Sequence, residues 1–264
     1  MIVYRGAPGR GGMSPLGPLK GWAKYAMGRL NTSCPLCNLP ARGGEFCEPC
    51  AQDLWLEPAQ RGFCRQCLAT VHEACEQCEA CLKEPPAFDM TIAGMAYSFP
   101  GDMLIQDFKE LGRLDYGPSL ASLVARSVRA HIPPSDWPDL LVPVPASRSA
   151  LKRRGFNPAG ELASQLSRQL GIPFRPGGLV CKFDHAPQKT LDLHQRRALV
   201  RGRYACNMGL SSLRIGLVDD VMTTGSTLRE ISHVLIRQGA ASIFVLVAAR
   251  TPMAPPDLAK SRYV

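Results

Sequence analysis

The 264-residue chain is 45% hydrophobic and 20% charged, with a formal net charge of +9. That composition excludes a disordered, fibrous or collagen-like protein and leaves enough apolar material for a sizeable core in one or two domains. The longest clean apolar run, Ile243 to Ala249, falls far short of the about 20 residues a membrane-crossing helix needs. No charged-then-apolar export signal opens the chain, so a cytoplasmic protein without a membrane span is expected.

Residues 1–33 carry Arg5, Arg10, Lys20, Lys24 and Arg29 and no acid, behind a Gly/Pro-rich start. From Leu16, the residues Leu19, Trp22, Ala23, Ala26 and Leu30 recur at helical spacing, and a basic amphipathic helix of this kind could meet anionic lipid or a partner. A flexible basic leader is the plainer expectation, with Met13 or Met27 as alternative starts, and no function is assigned to it.

Nine of the eleven cysteines then crowd between Cys34 and Cys81. Cys34 and Cys37 are two residues apart and are followed by Cys47 and Cys50; the same pattern returns as Cys64 and Cys67, then Cys78 and Cys81. Each such knuckle aims two sulfurs at one centre, and two knuckles around a hairpin-length spacer suit a tetrahedral Zn2+ held by four thiolates. Two zinc ions are expected, with a single ion left open. A disulfide framework is the competing explanation, disfavoured by the missing export signal and by the odd number of cysteines in the cluster. Cys75 and His72 have spacing for substitute ligands and are read as bystanders. Four thiolates close the coordination shell, so the metal is structural, and the scarcity of aliphatic residues between Cys34 and Phe88 explains why a staple is needed. With four Lys/Arg against eight Asp/Glu, residues 34–88 are acidic and a poor nucleic-acid clamp by charge alone.

Residues 89–264 carry the remaining positive charge and change pattern. Met90 to Phe99 reads as a strand, Asp102 to Leu111 and Gly117 to Ala130 as helices, and Asp139 to Val144 as a short buried strand. Pro158 to Leu170 reads as a helix with Asn157 as N-cap, Ile215 to Val218 as a buried strand, Leu228 to Gln238 as a helix and Ser242 to Ala248 as a last buried strand. Strands alternating with helices predict an α/β fold, a parallel sheet covered on both faces, with its ligand at the carboxyl ends of the strands.

At one such end the apolar run Ile215 to Val218 delivers Asp219 and Asp220, then Val221, Met222, Thr223, Thr224, Gly225, Ser226 and Thr227. Hydroxyls, a glycine that allows close backbone approach and the start of a helix together make a cradle for a phosphate. The Gly-Lys-Ser/Thr ending of a nucleoside-triphosphate P-loop is missing, which disfavours triphosphate hydrolysis. The two carboxylates sit where ribose hydroxyls, or a Mg2+ carried with the substrate, would find acceptors. A strand merely ending in a polar turn is the bland alternative.

This stretch resembles the signature of the type I phosphoribosyltransferases, in which an apolar strand, two acids and a Thr-Thr-Gly-x-Thr loop hold the 5-phosphate of phosphoribosyl pyrophosphate (PRPP). Val142-Pro143-Val144-Pro145, Arg153-Arg154-Gly155-Phe156-Asn157 and the paired cysteine knuckles ending in Cys81-Leu82-Lys83-Glu84-Pro85-Pro86 are similar to the ComF family of competence-associated phosphoribosyltransferase-like proteins, which includes the GntX-type proteins. The resemblance spans Cys34 to Arg250. It implies a double zinc-ribbon module at 34–88 joined to a type I phosphoribosyltransferase domain at 89–264.

It also implies roles for further residues. Arg148, Arg153 and Arg154 follow the segment that meets diphosphate, a group suited to the planar fork of arginine. Arg154 is the choice among them, although a solvated basic turn explains any single one equally well. Lys109 matches a family lysine, and Gln188 and Arg196 match a stretch that often forms a mobile flap. Beyond that stretch this chain departs, with Leu199-Val200-Arg201-Gly202-Arg203-Tyr204 where relatives tend to have Asn-Val-x-Gly-Ala-Phe. Cys181 and Cys206 read as buried thiols. The implied function is binding of PRPP with Mg2+ and transfer of phosphoribosyl to an acceptor with release of diphosphate, linked to DNA uptake or nucleotide metabolism. The competing class is a non-catalytic PRPP-binding regulator or adaptor, its zinc module docking a competence helicase or other DNA-uptake protein, and the basic second half permits weak nucleic-acid contact. The sequence sets neither the acceptor nor an oligomeric state.

Overall fold

A computed structural model of the chain describes residues 31–56, 62–72, 75–183 and 202–252. The cysteine-rich front end is built twice on one plan. In the first half, strands β1 (Asn31–Ser33) and β2 (Pro40–Arg42) pair antiparallel and helix α1 (Glu48–Leu54) follows, with Cys47 at its N-cap and a proline in its first turn. In the second half, Phe63 bridges Thr70, and helix α2 (Glu79–Lys83) starts after Cys78. Each first knuckle closes alike: the amide of Cys34 donates to Leu39 and that of Cys64 to Ala69, with Asn38 and Leu68 in the left-handed region at φ 60° and 55°. The first three residues of this unit, Asn31–Ser33, had been expected in the leader.

The rest is a four-stranded parallel sheet. Strand β3 (Met90–Ala96) leads to helix α3 (Gly101–Glu110) and the long α4 (Gly117–His131); strand β4 (Leu140–Pro143) leads to α5 (Arg148–Arg154) and α6 (Pro158–Leu170). A short antiparallel pair, β5 (Leu179–Cys181) and β6 (Tyr204–Cys206), precedes strand β7 (Arg214–Met222), helix α7 (Ser226–Arg237) and strand β8 (Ser242–Arg250). The sheet order is β3-β8-β7-β4. Central β8 is an almost unbroken apolar run, as expected for a strand buried on both faces.

Alternation along the strands separates two cores. Ile92, Met95, Leu141, Val218, Leu246 and Ala248 meet α4 and α6 on one face, together with Cys34, Phe46 and Leu54 of the first cysteine half. Ala93, Val142, Ile215, Leu217, Val245 and Val247 meet α7 on the other, together with Cys64, Cys67, Cys81 and Phe88 of the second half. The two halves of the front end therefore pack against opposite faces of the sheet. At Gly94 a Cβ would stand 3.0 Å from the Cβ of Leu123, so the missing side chain is what lets α4 lie close on β3.

Four local expectations change. The strand read as Ile215–Val218 runs on to Met222, because the ladder pairs Asp219 with Val247 and Val221 with Ala249 whatever the side chains are. The strand read to Phe99 ends at Ala96, and α3 begins at Gly101. Asn157 does stand at the N-cap of α6, yet its side chain does not cap the helix: Nδ2 donates to the carbonyl of Val144, 2.9 Å away. The arginine-rich turn after β4 is helix α5, capped by Ser147 Oγ accepting from the amide of Ala150.

Candidate functional site

The carboxyl ends of the strands surround an open pocket of about 640 Å³. β3 continues into Tyr97 and then α3, which supplies Ile105, Gln106, Lys109 and Glu110. β4 continues into Val144 to Ser147, β7 brings Asp219, Asp220 and Val221, Thr223 comes from the loop between β7 and α7, and Thr227 from the first turn of α7. This is the edge where a parallel α/β sheet holds its ligand.

The acids have unequal surroundings. Lys109 Nζ lies 3.0 Å from Asp220 Oδ2, with the Asp220 side chain 11% exposed and that of Lys109 31%. Asp219 Oδ1 accepts from the amide of Asp220 and Asp220 Oδ1 from that of Val221, both at 2.9 Å. Burial first, and the neighbouring charge of Asp220 second, push the Asp219 carboxyl well above the ordinary carboxylate range, against the pull of Lys109. A pocket floor with two close carboxylates and one lysine favours hydroxyl groups and developing positive charge.

The loop beside it is a turn from strand to helix. Gly225 has φ 75°, and a Cβ there would meet Met222 Cε at 2.5 Å, so only glycine fits without displacing the buried methionine. Thr223, Thr224 and Ser226 are exposed and Thr227 half-buried. The hydroxyls of Thr224 and Ser226 stand 3.1 Å apart. Of this stretch Thr223 and Thr227 line the pocket, while Thr224, Gly225 and Ser226 lie outside its lining, next to the first amides of the twelve-residue α7, which lack helical partners. Met222, expected at the site, is buried outside the pocket lining, its sulfur accepting from Thr91 Oγ1 at 3.7 Å.

Of the arginines after β4, Arg154 lines the pocket and is held by Glu110, its Nη2 on Oε1; that bond draws the Glu110 carboxyl below its usual value. Arg148 and Arg153 are exposed on α5, outside the lining, with Arg153 3.8 Å from Glu110. Gln188 and Arg196 lie outside the described residues. Tyr97, Glu110, Arg203 and Tyr204 line the pocket without having been singled out as site residues. Only the departure of Arg203-Tyr204 from the pattern of relatives hinted at two of them. Arg203 donates from Nε to Cys181 Sγ at 3.3 Å across the β5–β6 pair, so Cys181 has a partner rather than an inert burial.

The eight paired cysteines gather as expected. In each set, Cys34, Cys37, Cys47 and Cys50, and Cys64, Cys67, Cys78 and Cys81, the four Sγ atoms lie within 4.8 Å of one another. The pairs Cys37–Cys47 and Cys67–Cys78 are 3.5 Å apart, close to the about 3.8 Å that zinc–sulfur bonds of about 2.3 Å impose on a tetrahedron. The donors fit zinc, and His72 and Cys75 join neither set. The Cys64 thiol is held down to about 4 by the hydrogen bond from Cys67; in Cys34, backbone amides overcome burial and bring it to about 6. Among the described residues no helix is long and apolar enough to cross a membrane.

A parallel α/β sheet with an acid pair and a hydroxyl-rich loop at its carboxyl edge, fronted by two four-cysteine clusters, is the architecture of a phosphoribosyltransferase-like protein with a cysteine-rich front end. No protein-family model matches the chain. It is 32% identical over 232 residues to competence protein F of Haemophilus influenzae, covering 85% of this chain and 99% of that protein. It is 29% identical over 223 residues to DNA utilization protein YhgH of Salmonella typhimurium, covering 83% and 96% respectively. The chain belongs to the competence protein F (ComF) family. Among solved structures, purine phosphoribosyltransferase from Pyrococcus horikoshii matches 63% of this chain and 92% of its own, with 20% identity and a TM-score of 0.30. Glutamine PRPP amidotransferase from B. subtilis matches 55% and 30%, with 18% identity and a TM-score of 0.38.

Proposed function

We propose that this protein binds PRPP with Mg2+ and transfers the phosphoribosyl group to an acceptor with release of diphosphate, in the service of DNA uptake or use. The observation that carries the proposal is the placement of Asp219 and Asp220 beside the Thr223–Thr227 loop at the edge of one pocket. The loop would hold the 5-phosphate, the carboxylates would accept from the ribose hydroxyls, and Arg154 would turn from Glu110 toward the diphosphate. The anomeric carbon–oxygen bond breaks with its electron pair leaving on diphosphate. The carboxylates stabilise the positive charge that builds on the sugar. A nitrogen nucleophile then forms the new bond to that carbon and gives up its proton. Residues 34–88 act in this proposal as the zinc-stapled unit and 89–264 as the transferase unit.

The test is diphosphate release from Mg-PRPP across a panel of nucleobases and other nitrogen nucleophiles, with calorimetry alongside. Release that requires an acceptor, with binding sharply weakened in Asp220→Asn, supports the transferase. Undiminished binding in that variant removes the acids from the site. The names of the relatives, a competence protein and DNA utilization proteins, favour a second reading as a PRPP-binding regulator or an adaptor docking a DNA-uptake protein. Tight binding without release under any acceptor selects it.

A further inference from the structure

The phosphate-type loop is flanked by two arginines that each also donate a hydrogen bond to the second cysteine set, Arg250 with a further bond to the carbonyl of Thr251. Arg250, the last residue of β8, is 2% exposed. Its Nη1 donates to the carbonyls of Met222 at 3.1 Å and Thr223 at 2.6 Å, where the loop begins, while its Nε donates to the carbonyl of Cys67 at 2.7 Å. Arg229 lies in the first turn of α7, its amide on the carbonyl of Gly225 at 2.9 Å, and its guanidinium donates to Cys81 Sγ at 3.2 Å and to the carbonyl of Glu84. The first cysteine set is attached elsewhere. Its half of the front end reaches α4 through Gly44 to Ser119, Trp55 to Ser127 and Glu48 to Arg126, and β3 through the amide of Leu56 on the carbonyl of Gly94.

We propose that Arg250 and Arg229 are positioning residues that make the second cysteine set a support of the Thr223–Thr227 loop, so that metal binding at Cys64, Cys67, Cys78 and Cys81 is coupled to ligand binding at the loop. The proposal rests on the zinc and phosphate readings above and concerns how the two sites act on each other. A buried guanidinium is costly unless its charge and all its donors are met. A divalent ion with four thiolates carries a net charge of about −2, and that charge lies against Arg250. Without the metal, Cys67 and Cys81 are joined only through protein contacts such as the 3.5 Å approach of the Cys67 and Cys78 sulfurs, and the partners of both arginines are held less firmly. The loop carbonyls and the first turn of α7 then lose the clamps that aim the cradle. Coupling of this kind is reciprocal: ligand in the loop must also slow loss of metal from the second set.

Hydrogen exchange on the full-length, zinc-loaded protein reads this coupling without requiring a ligand. Amides of Met222 to Glu230 should exchange faster in Cys78→Ser by about tenfold, a coupling of ordinary size, while those of Leu246 to Ala248 in the core strand stay protected. Cys37→Ser, in the first set, should leave the loop unchanged. Should Cys78→Ser unfold the front end, Arg229→Gln, which keeps all eight ligands, must show the same loosened loop together with faster zinc loss to a chromogenic chelator. Loop exchange equal to wild type in Arg229→Gln, or equally raised in Cys37→Ser, overturns the proposal. Calorimetry with Mg-PRPP on the same wild-type sample is separate: no binding there removes the PRPP reading, while exchange still decides whether the cysteine set supports the loop.

Discussion

Replacing Lys109 with methionine removes the one cation that, among the described residues, pairs with the acids, while keeping the length of the side chain. At 3.0 Å from Asp220 Oδ2, the Coulomb attraction at an effective dielectric of about 20 is about 5.5 kcal/mol. Desolvation of both partners opposes most of it, and Lys109 retains 31% of its exposure, which places the pair between an exposed one, worth up to about 1 kcal/mol, and a buried one, whose breaking costs about 3–5 kcal/mol. The expected loss is about 1–3 kcal/mol, or a Tm lowered by about 3–8 °C in a chain of this size. The pH dependence has a definite sign. Because the Asp219 carboxyl is raised in the fold, the folded protein binds that proton more tightly than the unfolded chain, and stability falls as pH rises from the ordinary carboxylate range through the raised value. Lys109 opposes that loss. The part of the Lys109→Met penalty that acts through Asp219 is therefore full above the raised value and fades below it. Thermal unfolding of Lys109→Met, Asp220→Asn and the double variant, each zinc-loaded and without ligand, measures the pair directly. A coupling of at least about 1 kcal/mol at neutral pH is expected, and additivity within about 0.5 kcal/mol refutes the reasoning.

Asp219→Asn should raise the Tm of the ligand-free protein by about 2–4 °C, an ordinary gain for relieving a functional site, and weaken Mg-PRPP binding in calorimetry; a lowered Tm would show that the carboxylate is not under strain from burial and Asp220. Gly225→Ala forces a side chain into the left-handed region at a cost of about 1–2 kcal/mol and against Met222, so phosphate-ligand binding should drop at least tenfold while thermal unfolding changes modestly. Binding equal to wild type would separate the loop geometry from the ligand. Metal analysis of the purified protein should find close to two zinc per chain, bound through the eight clustered cysteines; a folded, zinc-free protein with oxidised cysteines overturns that assignment.

The parts legible in the sequence are those whose chemistry is local. Cysteines two residues apart can only point into one turn, and the eight of them lie where their spacing puts them. Helix α6 keeps its expected ends because Pro158 starts it and Gly171, at φ 74°, stops it. The run from Asp219 to Thr227 was readable because strand, acids, glycine and helix start follow one another along the chain. What the same stretch could not reveal is that β7 carries both acids within its ladder, since that depends on the partner strand β8.

The residues that came as surprises are joined across long sequence distances. Glu110 answers Arg154 from another helix, Asn157 ties α6 to the end of β4 rather than capping its own helix, and Arg203 and Tyr204 enter the pocket from the β5–β6 pair. Above all, Arg250 reaches from the end of β8 to Cys67 and to the loop carbonyls, 183 and 27 or 28 positions away. Sequence alone determined the two four-cysteine clusters, the alternation of strands and helices and the run of strand, acids, loop and helix start, because propensity, spacing and backbone conformation act over a few residues. The tertiary structure alone decided which charges meet in the pocket and which cysteine set stands behind the loop, because such contacts exist only once the parallel sheet has brought the carboxyl ends of its strands to one edge.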